Sequence, residues 1–442
     1  MKDLSLLADH CKKIIADPEA NIKLIKPLLK GVIENHQLTI SRELILLAVL
    51  KVFKNVIPLY KIRTIEDRVK HKKEYQRLKD YDRVLLNQYG IFVNLVLAER
   101  GYENYKCCCE ILEGLDHFNL IDKIIVRVVE GTCEDNTEIV NMCCKAITYK
   151  FGNDYVGETT AKIINQMMDL RFGAGVMEGL TTIRVLDENY MKSKLLRLEN
   201  TDEEVQKIDL KKIREKHRSK SVRKEEKERA KEERENRKIA KHKRLEEQKK
   251  VYKQLKDNII RLYIAILKTK RKEFYKYTFI GLSFYKNFIR KDLYEGIYIL
   301  LNDSLEPMET RLDGITSIVD VYSDMSCDFK NAFNRFYEMI EPFCINDINE
   351  DSFCLVLRKL VIDRRQTVDK INGLVHRGLQ LCFIFYLPKF FSILMEISKI
   401  YRIEFNDFNI IKNGIYNLEE NNLEKVCNAS FYEYHLLTKT CY

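Results

Sequence analysis

Apolar residues recur along this chain at helical spacing. Ile121, Ile124, Ile125, Val128 and Val129 follow the i, i+3, i+4, i+7, i+8 rule, and Val140, Cys143, Cys144 and Ile147 repeat it. Short polar breaks such as Cys133 to Asn136 and Gly152 to Asp154 separate these runs and suit antiparallel helix neighbours. Cys108 and Cys144 open similar runs 36 residues apart, a spacing within the range of helical repeats. Residues 1–200 therefore predict an irregular helical-repeat domain, with a compact bundle as the alternative.

The pattern then changes. Apolar residues nearly vanish between Arg214 and Arg244, so no core face is available there. Neither Gly nor Pro occurs between Gly179 and Gly281. Glu225/Arg229, Arg229/Glu233 and Glu233/Arg237 stand at i,i+4, each pair supporting a helix by a few tenths of a kcal/mol. Residues 201–257 read as a long solvated helix, with a flexible charged linker as the alternative. Leu255, Ile259, Leu262, Tyr263, Ile266 and Leu267 restart an amphipathic helix, and residues 258–442 read as a second helical domain. Its breaks fall at Pro307, Pro342 and Pro388, and its aromatics, Phe383, Phe385, Tyr386, Phe390 and Phe391 among them, read as core.

Composition supports this class. With 16 Gly and 6 Pro in 442 residues, sandwiches, barrels and doubly wound sheets lack their turns. The fold class is all-α: two irregular HEAT/armadillo-like helical-repeat domains joined by a long charged helix. Adjacent cysteines such as Cys107 to Cys109 do not make an ordinary disulfide framework, and no Cys-x-x-Cys or zinc-like spacing occurs. Reduced, core-filling thiols are expected, with no metal and no cofactor. No signal peptide and no membrane span are read, so no membrane partner is expected.

Charge is the main functional signal. Lys211 to Lys250 hold 19 Lys/Arg and 9 Asp/Glu, a net +10, while the remainder holds 57 of each. A localised basic block points to a polyanionic partner. Its candidate nucleic-acid-binding residues are Lys211, Lys212, Arg214, Lys220, Arg223, Lys224 and Lys227. Lys211-Lys212-x-Arg214 and Arg223-Lys224 also fit a nuclear import signal. The block carries no aromatic, so contact through the phosphate backbone is expected. Interspersed glutamates oppose that contact and support the helix instead. A second basic group comprises Arg358, Lys359, Arg364, Arg365 and Arg377; a solvated helix face and a partner contact both remain open.

Catalytic motifs are not found. Gly152-x4-Gly157-Glu158-Thr159 has P-loop glycine spacing, but Glu158 stands where Lys is needed and no strand precedes it. Gly173-Ala-Gly175 with Gly179 follows a helical run and reads as a turn. The histidines form no triad, and His117 reads as a loop or capping residue. No enzyme activity and no small-molecule substrate are expected.

Several segments resemble the nucleolar complex-associated protein 3 family. Val52-Phe53-Lys54-Asn55-Val56-Ile57-Pro58-x-Tyr60-x-Ile62-Arg63 is similar to its signature, with Phe53, Pro58, Tyr60 and Arg63 as motif residues. Asp17-Pro18-Glu19-x-Asn21-Ile22, Leu85-Leu86-x-x-Tyr89, His117-Phe118-Asn119 and Phe151-x-x-Asp154 fall in the family's order. His217-x-Ser219-Lys220-x-x-Arg223-Lys224-x-x-Lys227-Glu228 resembles its lysine-rich segment. Ile264-x-Ile266-Leu267-Lys268, Arg365-Gln366, His376-Arg377 and Ser430-x-Tyr432-Glu433-x-x-Leu436-Leu437 are similar to its C-terminal CCAAT-binding-factor domain. Against the family's pattern this reads as a pared-down member, expected to lack the charged N-terminal extension and the His-rich tail, with Tyr432 in place of a usual Trp. The resemblance implies a non-enzymatic scaffold of large ribosomal subunit assembly in the nucleus and nucleolus. Its partners would be nucleolar complex protein 2, the pre-ribosomal particle and pre-rRNA. A chromatin-bound factor in the initiation of DNA replication is the alternative, and RNA and DNA are not distinguished.

Overall fold

The computed structural model describes residues 2–34, 41–62, 73–169, 171–187, 189–190, 193, 220–307, 310–323, 329–340, 350–362, 368–385 and 387–403. Among them the chain is helical, with no strand. It divides into two compact units, residues 1–262 and 263–442.

The first unit opens with α1 (Lys2–Ala16), α2 (Pro18–Asn21), α3 (Ile25–Glu34) and α4 (Arg42–Val56). Two of these starts are written locally. Asp17 accepts from Ala20 N, with Pro18 at the first helical position, and Ser41 accepts from Leu44 N. There follow α5 (Lys73–Ala98), α6 (Tyr102–Gly114), α7 (Ile121–Gly131), α8 (Thr137–Asn153) and α9 (Glu158–Met167). These helices pack on near neighbours in sequence: α6 on α7 and α8, α7 on α9, α4 on α1 and α6. That local pattern is the one a helical repeat requires. Three cationic or amide side chains gather at the C-terminal end of α5. Arg42 donates to Leu95 O, Asn104 to Val96 O at 2.8 Å, and Arg127 to Leu97 O at 2.6 Å. They satisfy carbonyls that the helix leaves open and oppose its negative end.

Every apolar position read in α7 is buried. In α8 the core phase is Ile139, Cys143, Ala146, Ile147 and Lys150, while Val140 and Cys144 are only half-buried. The cause is Lys150, whose side chain is buried and paired with Asp116 at 2.6 Å. A charged residue on the inner face concealed the phase.

The charged segment forms part of α10 (Lys220–Lys268), one uninterrupted helix of 49 residues, about 73 Å long. From Lys220 onward the segment is helical. Lys211, Lys212 and Arg214 lie outside the described residues. The turns from Leu255 to Leu262 are anchored in the first unit: Leu255, Ile259 and Leu262 have no exposed surface, and Asn258 donates to Asn165 at 2.6 Å.

The second unit contains α11 (Tyr275–Phe284), α12 (Tyr294–Asp303), α13 (Arg311–Val321), α14 (Lys330–Met339), α15 (Glu350–Leu357), α16 (Val368–Ile384) and α17 (Pro388–Tyr401). Helix α11 packs closely on α13, and α17 packs on α15 and α16. Gly281 is required on α11, because a Cβ there would lie 2.2 Å from Tyr263 Oη. Phe336, Phe353 and Phe390 form a ring chain with centroids 5.8 and 6.0 Å apart. Phe390 and Phe391 are core as read, Phe385 is half-buried, and the Phe383 side chain and Tyr386 lie outside the described set.

Candidate nucleic-acid and partner interfaces

The first candidate is the amino-terminal half of α10. Lys220, Arg223, Lys224 and Lys227 occupy its first two turns. At 100° per residue their positions share one face, within an arc of ~100°. The same face continues through Lys231, Arg234, Lys238 and Lys241. From Lys224 the steps are 3, 4, 3, 4 and 3 residues, a heptad spacing with cations in the seam positions. Glu225, Glu226, Glu228, Glu232, Glu233 and Glu235 all fall outside that arc. The glutamates that weakened the basic block in sequence thus fall outside the stripe, Glu235 and Glu228 flanking its edge by about 20° and 40°. The heptad phase runs on through Leu245, Gln248, Tyr252, Leu255, Ile259 and Leu262, the last three fully buried. A straight helix drifts about 20° per heptad, so over the roughly four heptads between them the buried seam turns about 80° away from the cationic one.

The second candidate is built from the signature residues in the first unit. Phe53 is fully buried against Tyr89 and Phe92, with centroids 5.3 and 5.2 Å away, and Tyr89 meets Phe118 edge-on at 5.1 Å. Below this cluster the chain leaves α4 through Ile57 to Ile62. His117 Nε2–H donates to Pro58 O at 3.1 Å; the carbonyl can only accept, so this nitrogen carries the proton. Asn119 makes a reciprocal pair with Ile62, donating to its carbonyl and accepting from its amide, both at 3.1 Å. Pinned at both ends, the segment presents Leu59, 91 % exposed, and Tyr60, 52 % exposed. Tyr81 and Asp82 lie by it, and burial pushes Tyr81 up to about 12, helped by the Asp82 and Glu19 charges. Burial also raises Asp82, whose Oδ1 has no hydrogen-bond partner. Arg63 lies outside the described residues.

The P-loop-like spacing has another use. Asp154 Oδ1 accepts from Val156 N at 3.1 Å and Gly157 N at 2.7 Å, while Oδ2 accepts from Thr160 N and Thr160 Oγ1 at 2.8 and 2.9 Å. A carboxylate thus occupies the amides that a phosphate would need. Gly157 has φ +87°, and a Cβ there would approach Leu255 Cδ1 to 2.9 Å, so the loop is packed against α10. Gly173 begins a turn, its amide donating to Thr132 Oγ1 at 2.8 Å.

The described members of the second basic group each engage a separate partner. Arg358 pairs with Glu396 at 3.3 Å, Lys359 pairs with Asp320, and Arg377 donates to Tyr337 O while stacking over that ring at 4.0 Å. Arg364 and Arg365 lie outside the described residues. Among the described residues no His/Cys/Asp/Glu group could hold a metal ion, and no helix is long and apolar enough to cross a membrane. Cys107, Cys108, Cys109, Cys143, Cys354 and Cys382 are free and buried, as expected of core thiols.

Comparison with known proteins bears out the resemblance to the nucleolar complex-associated protein 3 family, its C-terminal CCAAT-binding-factor part excepted. Residues 3–92, which contain the Phe53–Tyr60 signature and Tyr89, match the family model described as nucleolar complex-associated protein. The chain is 31 % identical over 166 residues to nucleolar complex-associated protein 3 of Arabidopsis thaliana, covering 35 % of this chain and 20 % of that protein. It is 29 % identical over 185 residues to the human nucleolar complex protein 3 homolog, covering 36 % and 23 %. The Schizosaccharomyces pombe protein of the same name as the plant one is 26 % identical over 184 residues. The matched region thus spans about a fifth to a quarter of these curated relatives.

Proposed function

We infer that this chain, similar to the nucleolar complex protein 3 relatives, is a non-enzymatic scaffold in nuclear assembly of the large ribosomal subunit. It resides in the nucleus and nucleolus, where the relatives' name supports placing it. Nucleolar complex protein 2 is its protein partner, and the α10 stripe contacts pre-rRNA on the pre-ribosomal particle. The observation that carries the RNA contact is the phase of that stripe: eight cations on one face, with the glutamates elsewhere. Such a face neutralises consecutive phosphates without reading bases. The pinned segment with Leu59 and Tyr60 exposed serves the protein partner, since it offers apolar area at no further ordering cost. A scaffold needs no reacting group, and Asp154 filling the one phosphate-like loop agrees with that role.

The test is crosslinking in cells followed by sequencing of the bound nucleic acid, with the protein partners identified from the same purification. Recovery of large-subunit pre-rRNA together with nucleolar complex protein 2 is expected. Recovery of chromatin DNA in place of pre-rRNA would overturn the assignment in favour of a replication factor.

A further inference from the structure

The balance of 57 basic and 57 acidic residues outside the basic block conceals a second concentration of charge. Residues 263–291 contain eight Lys/Arg and one acidic residue, Glu273. Unlike the α10 stripe, this segment is interleaved with aromatics.

Its arrangement in the second unit follows from one short turn and one helix. α10 ends at Lys268, Lys270 takes a left-handed conformation (φ 54°), and a 3-10 turn over Lys272–Phe274 leads into α11. Lys268, Lys270, Lys272 and Lys276 are exposed around that corner. Lys276, Ile280 and Phe284 follow at steps of four and share one side of the α11 axis over about 12 Å, with Lys272 in the 3-10 turn just before it. Ile280 is 45 % exposed and Phe284 62 % exposed, although the opposite side of α11, with Thr278, Phe279 and Leu282, is buried. Beyond Phe284 the turn at Lys286–Phe288 brings Tyr285 and Phe288 into a stack at 5.2 Å, and Arg290 and Lys291 emerge into solvent. Neighbouring acids offset only part of this charge: Glu273 pairs with Arg271, Asp292 lies 3.9 Å from Arg290 and Asp313 lies near Lys276, while Asp320 is engaged by Lys359.

The geometry points to a single-stranded RNA-binding surface on the second unit, in which the Phe284 ring stacks on a base and Lys270, Lys272 and Lys276 hold the phosphates on one side of it. Cations flanking an exposed ring are the pattern that single strands select, because every base has a π-face and every linkage a phosphate. A duplex buries its base faces and would use the cations alone. This surface is independent of the α10 stripe and does not rest on it.

The test uses the full chain and a fluorescein-labelled uridine dodecamer, with binding read by anisotropy across a potassium chloride series. Phe284→Leu keeps the apolar contacts but removes the ring, and it is expected to weaken binding about tenfold without changing the salt slope. The triple variant Lys270→Gln, Lys272→Gln, Lys276→Gln is expected to flatten the log–log salt slope by about 2. Phe284→Tyr retains a stacking face and is expected to bind like the parent. Each variant is also made in a chain carrying Lys220→Gln, Arg223→Gln, Lys224→Gln and Lys227→Gln. Dependence on Phe284 that persists there supports the second surface even when α10 contributes nothing. Unchanged dodecamer affinity for Phe284→Leu in both backgrounds, with an unaltered melting curve, would overturn it. Weakened binding of a poly-glutamate peptide with RNA binding intact would also overturn it, assigning the patch to an acidic protein.

Discussion

The face of α10, rather than its total charge, should govern its affinity for a polyanion. Two variants separate these quantities, each replacing four cations by Gln. The first changes Lys220, Arg223, Lys224 and Lys227, all on the stripe. The second changes Arg229, Arg237, Lys243 and Arg244, all outside its arc. Both lower the net charge by four, and Gln, Lys and Arg have similar helix propensities. If each of the eight stripe positions neutralises one phosphate of a single strand, the log–log salt slope is about −5.6, at −0.7 per contact. Between 50 and 200 mM salt the parent then loses about 3.4 decades of affinity, and the stripe variant about 1.7. The off-stripe variant keeps a slope near the parent's. Titration of a labelled single-stranded RNA at four salt concentrations, with helicity checked by circular dichroism, measures all three. Equal slopes for the two variants would refute a facial contact, and slopes equal to the parent's would make α10 a spacer.

Other consequences are smaller in scale. Asp154→Ala leaves four donors near Gly157 and Thr160 without their acceptor and should destabilise the first unit by about 3 kcal/mol in chemical unfolding. Gly157→Ala forces a Cβ onto φ +87° beside Leu255 and should cost about 1–2 kcal/mol in the same assay. Asp82→Asn should raise the melting temperature at pH 7, because burial lifts the Asp82 pKa in the folded state and its charge therefore opposes folding above that pKa. The gain should shrink as the pH falls through that value and the carboxyl protonates; a gain that grows on acidification would contradict the sign. A thiol reagent applied to the native protein should modify exposed Cys133 first among the nine described cysteines, and Cys107, its thiol pushed up to about 12 by burial, far more slowly. Peptide mapping after timed labelling gives the order.

The helical character of the chain was legible because its core seams are regular. Ile121 to Val129 and Leu255 to Leu267 were read from spacing alone, and each of those positions is buried. The phase of α8 was missed because Lys150 lies on its inner face, where its cost is offset by Asp116. No hydropathy pattern announces a buried lysine; its partner is 34 residues away and meets it only through folding. The same holds for His117 and Asn119. They were recognised as family echoes, but their task of holding Pro58 and Ile62 spans 59 and 57 residues and is invisible locally. The charge of the Lys211 to Lys250 block was plain, whereas the segregation of its glutamates appears only once the segment is placed on a helical axis. The charge at 263–291 was hidden differently: summing the rest of the chain cancelled it against acids that lie elsewhere.

One further property of α10 concerns its cost of formation. Starting a helix is expensive, with an initiation constant near 10⁻³, whereas each further residue extends it almost freely. The buried turns from Leu255 to Leu262 meet that initiation penalty within the folded core. The charged half needs no core of its own, because it grows outward from an existing template. A peptide of residues 220–241 cut from the chain should accordingly be largely coil, although the same residues are helical in place. Amide hydrogen exchange should run as a gradient along this one helix, slowest at the anchored end and fastest near Lys220. A polyanion seated on the charged half would propagate protection toward that tip, and the change would report the free energy of binding residue by residue.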